Sequence, residues 1–239
     1  MEVGMKAELH CHVKLFAHRP FRPAQLQRRL NRARDMGLDV LAVTEHMDVP
    51  DFRGILQCLE ELCGRGTGAL EWRGLTVLAG AEVSIKEGGD VLCIGTPETV
   101  RELEKRLAPV NADNLPSFKG LLDASGDLGF LRIGAHPCRR GKELWKLGPM
   151  LKKLDALEIN ATELPMAGRV QERAKNLGMP VVAGSDAHHW LQIGRVYNLL
   201  PPVEKLTAVT LKQALLRGEI VWCRGKIWPV LLKGLRVSS

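Results

Sequence analysis

Ala7-Glu8-Leu9-His10-Cys11-His12-Val13, close to the start of the chain, is the stretch on which the reading of the fold turns. In a β-strand the side chains alternate, so His10 and His12 share one face while Leu9 and Cys11 point the other way, towards packing. Two imidazoles side by side can chelate one metal ion. They can equally be two buried, hydrogen-bonded histidines, and these residues alone leave both readings open. What separates the two is whatever later stretches bring to the same place.

Outward from this stretch the chain keeps one cadence: an apolar run, a loop with His, Asp or Glu, then an amphipathic stretch. Val40–Val43 runs into Thr44-Glu45-His46, and Leu75–Ala79 into Gly80-Ala81-Glu82. Val91–Ile94 follows a Gly88-Gly89 turn and Asp90. Leu131–Ala135 ends at His136-Pro137, and Ala156–Ile159 at Asn160. Val181–Ala183 meets Gly184-Ser185-Asp186-Ala187-His188-His189. Between these runs lie helical stripes: Leu26, Leu30 and Ala33 after Pro23; Ile55, Leu56, Leu59 and Leu62; Val100, Leu103 and Leu107 after Pro97. Further helices are expected over 117–124, 141–153, 164–177 (closed by Gly178) and 203–217, before a short apolar run at 220–222. Strands alternating with helices imply a parallel sheet, and polar residues at strand ends match the mouth of an α/β barrel. No linker, repeat or low-complexity segment interrupts the pattern. The chain therefore reads as a single α/β barrel domain over 1–239, with an apolar, basic tail at 225–239 docked on its own barrel.

Composition narrows the setting. A chain of 239 residues that is 45% hydrophobic can bury a full core without disulfide staples. With 5% aromatic residues, Leu, Val, Ile and Ala must fill that core. The six cysteines form no C-x-x-C pair, which points to reduced thiols and a cytoplasmic location. No apolar run reaches membrane-spanning length and residues 1–6 are no signal peptide, so no membrane association is expected. A net charge of +7 permits phosphate esters or nucleic acid as partners, although the basic residues are dispersed.

Histidine is scarce, seven in the chain, yet it gathers in these loops and strand ends. The candidate ligands are His10, His12, His18, His46, Glu82, His136, Asp186 and His188. Imidazole and carboxylate together suit Zn, Mn or Fe, and the set is too large for one tetrahedral ion. Two or three divalent ions sharing a carboxylate is the economical reading.

In this order H-x-H, T-[DE]-H, G-x-E, A-H-P and G-S-D-A-H resemble the polymerase and histidinol phosphatase (PHP) family, over Glu8 to His188. The resemblance implies a distorted, TIM-like (β/α)7 barrel with up to three metals at its mouth. It implies that His10, His12 and Asp186 hold a first metal, bridged by Glu82 to a second on His136, with His18, His46 and His188 around a third. The chain departs from the family pattern at Glu8 and Glu45, each standing where Asp is common, and at Asp90, where many members have histidine. Glu8 and Glu45 read as residues behind the ligands, and Asp90 as a replacement ligand.

Metal-assisted hydrolysis is the chemistry such a site performs, so the expectation is a phosphoesterase acting through a metal-bound hydroxide at a di- or trinuclear centre. Glu82, Asp186 and His189 are the catalytic candidates; His189 reads as a general acid or as the residue that simply precedes Trp190. Lys86, Arg139 and Arg140 clamp a phosphate or solvate their loops. Glu158 and Asn160 contact substrate or buttress the mouth. Cys11, facing away, is no nucleophile. The expected partner is a small phosphorylated molecule, a nucleotide or a nucleic-acid end. The competing classes are a metal-dependent amidohydrolase and a non-catalytic barrel that binds RNA or protein.

Overall fold

Strand pairing in the computed structural model, which describes residues 4–15, 19–65 and 69–225, wraps a mixed sheet into a nearly closed barrel. In chain order the elements are β1 (Met5–Cys11), α1 (Pro23–Asp35), β2 (Val40–Val43), α2 (Phe52–Leu62), β3 (Gly64–Arg65) and β4 (Leu70–Trp72). Then come β5 (Leu75–Ser84), β6 (Asp90–Gly95), α3 (Pro97–Leu107), α4 (Phe118–Ser125), β7 (Leu131–Ala135) and β8 (Ala156–Asn160). The described part ends with α5 (Ala167–Leu177), β9 (Val181–Gly184), β10 (Val196–Leu200), α6 (Ala208–Leu216) and β11 (Val221–Arg224). The strands lie in the order β11-β10-β1-β2-β5-β6-β7-β8-β9, with the β3–β4 hairpin added to β5. Of the tail, only Gly225 falls among the described residues.

The expected parallel sheet is found for β1–β2–β5 and for β7–β8–β9, but not throughout. β6 runs antiparallel to both its neighbours. The reason is the short Gly88-Gly89 turn, at φ +85° and +115°, which is too tight for a crossover and can only fold β6 back on β5. This reversal places Asp90, the first residue of β6, opposite Ser84 at the end of β5. It also pairs Asp90 with Ala135, so His136 emerges at the same end of the barrel.

Period-two alternation separates an inner from an outer core. Inside lie Val40, Ala42, Leu78, Leu92, Ile94, Leu131, Ile133, Ala156 and Val182, together with Ala208, Leu211 and Leu215 of α6. Because α6 packs on residues from the beginnings of the parallel strands, it seats the floor of the barrel. The intervening residues, among them Leu41, Val43, Val77, Ala79, Val91, Leu157 and Ile159, pack outwards beneath α1 to α5. Two steps along the inward face of each strand lead from apolar to polar: Leu92 to Asp90 and Ala156 to Glu158, while Leu78 leads through Gly80 to Glu82.

The seam between β9 and the β1–β10 pair is closed by a side chain. Buried Asn198 of β10 accepts a hydrogen bond from Ala183 N (2.8 Å) and donates to Ala183 O (2.8 Å) and Ala7 O (3.2 Å). A side-chain amide here does the work of a peptide group in a strand ladder. Beyond the strand, Cys11 bridges Ala187 in parallel, and His12 N donates to Ala187 O at 3.1 Å.

Two expected features differ. The helix expected over 141–153 is a 3₁₀ stretch at Leu144–Lys153, broken at Gly148 with φ +54° and carrying Pro149 inside. The β3–β4 hairpin and β10 were absent from the sequence reading. β10 is five residues long and pairs with a strand almost two hundred positions away, so local periodicity carries little trace of it.

Replacing Asn198 with Ala leaves the Ala183 amide without partners in a buried seam. The expected loss is about 2 kcal/mol, a fall of roughly 4–8 °C in the unfolding midpoint, measured by thermal denaturation.

Candidate metal centre

β1 carries the first two ligand candidates, but not as a regular strand. Its register against β2 shifts between Glu8 and Cys11. Leu9 therefore packs in the inner core and Cys11 in the outer one, whereas strict alternation would put both on the same side. Such an irregularity re-aims side chains near a site. Here His10 and His12 both turn into the mouth, fully buried, with their Nε2 atoms 3.1 Å apart.

Each imidazole is held from behind by a carboxylate. Glu158 Oε1 lies 2.7 Å from His10 Nδ1, and Glu45 Oε1 3.2 Å from His12 Nδ1. With Nδ1–H donated to a carboxylate, the neutral ring presents an Nε2 lone pair to the centre. Both carboxylates are themselves fixed. Glu158 Oε2 accepts from His136 N at 2.8 Å and Asn160 Nδ2 at 2.9 Å. Glu45 accepts from the backbone amides of Val13, Lys14 and His46. Glu158 and Asn160 thus buttress the mouth. Burial works against ionisation of Glu45 and Glu158, yet neighbouring histidines, with backbone amides at Glu45, hold Glu45 down at about 2 and Glu158 below its ordinary value. Glu8 is different: burial pushes its carboxyl up to about 7, and it accepts from Ser185 N and His10 N.

Glu82 divides its two oxygens. Oε2 faces His12 Nε2 (3.1 Å), His10 Nε2 (3.3 Å) and His46 Nδ1 (3.4 Å); Oε1 faces His136 Nε2 at 2.9 Å. Three groups of donors result: His10, His12, Glu82 and Asp186; Glu82, Asp90 and His136; and His12, His46 and His188. A carboxylate can bridge two ions with its two oxygens. His12 cannot, because its Nδ1 is committed to Glu45. The first two groups therefore form a pair around Glu82, while the third has two uncommitted donors, His46 and His188, among the described residues. His18, expected at that third position, lies outside the described residues.

Two further observations fit a cation. Buried Asp186 Oδ1 has no hydrogen-bond partner although it lies 3.2 Å from His12 Nε2 and 3.5 Å from His10 Nε2. Imidazole nitrogens and a carboxylate oxygen that converge this closely are a donor set that suits a metal ion. In addition, Asp186 (φ +52°) and His136 (φ +29°) are two of the non-glycine residues with left-handed backbone, a strain that the surrounding structure must hold in place. Without an ion, burial disfavours the charged rings. The carboxylates of Glu158, Glu82, Asp186 and Glu45 nevertheless hold His10 and His12 well above the usual histidine value. His188 is the opposite case: burial, then the charge of His12, lower it to about 4.

The remaining candidates divide. Arg139 Nη2 donates to Asp186 Oδ2 at 2.6 Å and to Thr162 Oγ1 at 3.0 Å. Thr162 donates on to Asn160 Oδ1 at 2.6 Å, so hydrogen bonds run from the rim through Asn160 and Glu158 to His10. Lys86 and Arg140 are exposed on rim loops. His189 is not drawn into any donor group; its Nδ1 accepts from Leu191 N and caps the turn Trp190–Gln192. Sequence reading missed Arg29 and Lys142. Arg29, buried on α1, donates to the carbonyls of His12 (3.0 Å) and His188 (2.7 Å), tying the helix to two ligand-bearing segments. An arginine within an apolar stripe, between Leu26 and Leu30, was the available signal.

A family model described as PHP-associated matches residues 168–220, a segment that includes Asp186, His188 and Asn198. No curated protein matches the chain. Among solved structures it is similar to PsfC from Pseudomonas syringae, with 22% identity over 93% of this chain and 92% of that one, at a TM-score of 0.76. It is also similar to the lesion-specific endonuclease Q from Pyrococcus furiosus, with 20% identity, 88% of this chain covered and a TM-score of 0.69; the match spans 55% of that longer chain. A Bifidobacterium adolescentis protein described as a metal-dependent phosphoesterase matches at 18% identity over 88% of this chain and 96% of that one, with a TM-score of 0.52.

Two outcomes test the centre. A Cβ on Gly184 would stand against Glu158 Oε1 and 2.6 Å from His10 Cβ, so Gly184→Ala is expected to push His10 off its support and lower metal affinity by about 10–100-fold, read by chelator competition. Protons held on His10 and His12 must leave when an ion binds, so binding is expected to release protons and to weaken as pH falls. Calorimetry in buffers of differing ionisation enthalpy measures that release.

Proposed function

We propose that this chain is a metal-dependent hydrolase of the PHP family and acts on phosphate esters with a centre built on Glu82. The observation that carries the reading is the division of the Glu82 carboxylate between the His10–His12 side and the His136 side. Divalent ions at these two positions, Zn, Mn or Fe by the donor chemistry, would lower the pKa of a water and offset charge on phosphoryl oxygens. A third ion at His46 and His188 needs a further donor, the role the sequence assigns to His18.

The chain's own residues supply the rest. His10, His12, Glu82 and Asp186 hold one position; Glu82, Asp90 and His136 hold the other. Glu158 and Glu45 keep the two imidazoles in the tautomer that faces the centre. Arg139, anchored on Asp186 and half-buried at the rim, offers its planar fork to a phosphoryl oxygen, with Arg140 beside it on the same loop and Lys86 on another. His46 and His188 reach towards solvent, and burial keeps both below the usual histidine value, so neutral rings are available as donors or proton acceptors. His189 stands beside Trp190 as the candidate proton donor to a leaving group.

The substrate class follows from charge. A net +7 and a cationic rim suit a phosphomonoester, a nucleotide or a nucleic-acid end. Endonuclease Q, which shares the fold, has been captured with a 27-mer duplex substrate, and oligonucleotides therefore belong among the substrates assayed. No helix of the described residues is long and apolar enough to cross a membrane. All six thiols are free, in keeping with a reducing compartment, the cytoplasm.

Asp186→Ala is expected to lose bound metal and abolish phosphate-ester turnover, measured by elemental analysis beside a phosphate-release assay across Mn, Zn and Fe. Full turnover without metal loss would sink the assignment, and turnover of cyclic amides alone would favour an amidohydrolase. Nucleic acid bound equally well after metal removal, with no turnover, would favour a non-catalytic barrel. Arg139→Ala is expected to raise KM for the ester by about tenfold or more, a loss of roughly 1.5–3 kcal/mol for a charge-assisted hydrogen bond, measured by steady-state kinetics.

A further inference from the structure

The loop that follows β7 brings more to the centre than the candidate ligand His136. From His136 it turns back on itself, with Arg139 N donating to His136 O and Lys142 N to Arg139 O, each at 2.9 Å. It thereby delivers two cations to two different carboxylates of the centre: Arg139 to Asp186, and Lys142 to Asp90.

The second pairing is the unusual one. Lys142 Nζ lies 2.8 Å from Asp90 Oδ2 and 3.1 Å from Oδ1, while Ser84 Oγ donates to Oδ1 at 2.5 Å. Asp90 is fully buried and its Oδ2 is 3.5 Å from His136 Nε2. The ammonium therefore engages both oxygens of a carboxylate that a metal at the Glu82–Asp90–His136 position would need.

The approach is built into the backbone. A Cβ at Gly88 would meet Gly141 O at an ordinary van der Waals distance of 3.6 Å, whereas a Cβ at Gly89 would stand 3.1 Å from the Lys142 carbonyl oxygen and 2.5 Å from the Leu144 side chain. At φ +115°, and with that neighbour, residue 89 accepts glycine alone without strain. The β5–β6 turn and the Lys142 loop are thus locked together, with the lysine stem directed over Asp90.

We propose that Lys142 sets the occupancy of the Glu82–Asp90–His136 position, making it the weaker and exchangeable of the two metal positions. An ammonium is a compact single charge on a flexible stem. The Lys142 side chain is 41% exposed, so it swings into solvent when an ion of twice its charge takes Asp90. Among the described residues no lysine engages both oxygens of Asp186 at the His10–His12–Glu82–Asp186 position: Arg139 holds Asp186 through Oδ2 and leaves Oδ1 open. The inference rests on the metal-centre reading of the proposed function.

Calorimetric titration with Mn²⁺ alone, without substrate, tests it in the full chain. The unsubstituted protein is expected to show a tight and a weak class of site. Lys142→Gln should tighten the weak class by roughly tenfold and leave the tight class alone, as for an outer partner of a metal ligand. Lys142→Arg, which keeps the charge, should leave the weak class weak, and Asp90→Asn should remove it. Thermal melts check that each variant is folded. A weak class unchanged in Lys142→Gln, or a change confined to the tight class, overturns the proposal while leaving the metal centre standing. Absence of Mn²⁺ binding by the unsubstituted protein, or both classes intact in Asp186→Asn, overturns the metal-centre reading and the proposal with it.

Discussion

Buried charge is the constraint on which everything else in this molecule depends. Glu8, Glu45, Glu82, Asp90, Glu158 and Asp186 are all buried at one end of the barrel, among His10, His12 and His136. Such a concentration is tolerated only when each charge meets a counter-charge or a hydrogen bond. The structure answers with pairs: Glu158 on His10, Glu45 on His12, Glu82 between His12 and His136, Arg139 on Asp186, Lys142 on Asp90. Among the described residues of this cluster, Glu8 Oε2, His136 Nδ1 and Asp186 Oδ1 keep no hydrogen-bond partner, and of these Asp186 Oδ1 faces the Nε2 atoms of His10 and His12, where a cation would satisfy the oxygen and both nitrogens.

The barrel exists to hold this arrangement. Inward-facing positions switch from apolar below to acidic above within two residues on several strands, so the inner core and the centre are one continuous stack. Closure matters because candidate ligands come from both sides of the seam: His10 and His12 from β1 and the residue after it, Asp186 and His188 from the segment after β9. Asn198 joins the strands below, and Arg29 joins the same two segments above by gripping the carbonyls of His12 and His188. Neither touches the centre, yet both determine the distances within it.

Cationic groups at the rim connect structure to chemistry. Arg139 ends a hydrogen-bonded path through Thr162, Asn160 and Glu158 to His10. A phosphoryl oxygen drawing on Arg139 would therefore pull on the same network that orients a ligand. The loop from His136 to Lys142 contributes a ligand and two cations from seven consecutive residues, an economical way to balance charge at a centre rich in carboxylates.

Much of this was legible in the linear chain, and the reason is periodicity. Apolar runs located β1, β2 and β5 to β9, helical stripes located α1 to α6 and failed only at the 3₁₀ stretch, and the polar residues that follow the strands were readable because a strand end hands its next side chain to the mouth. The candidates His10, His12, His46, Glu82, His136, Asp186 and His188 were named on that basis, whereas Asp90, Glu8 and Glu45 came into view only where the chain departs from the family pattern. Tertiary structure alone decided the rest. The register shift in β1 that sends Leu9 and Cys11 to different cores depends on pairing with β2. The antiparallel course of β6, and with it the reason a residue at a strand beginning joins residues at strand ends, depends on a turn too tight for a crossover. The orientation of Glu158, the grip of Arg29, the seal at Asn198 and the contest for Asp90 all join residues far apart in the chain. Local pattern reports which face a side chain takes; only the closed barrel determines which other side chain it meets there.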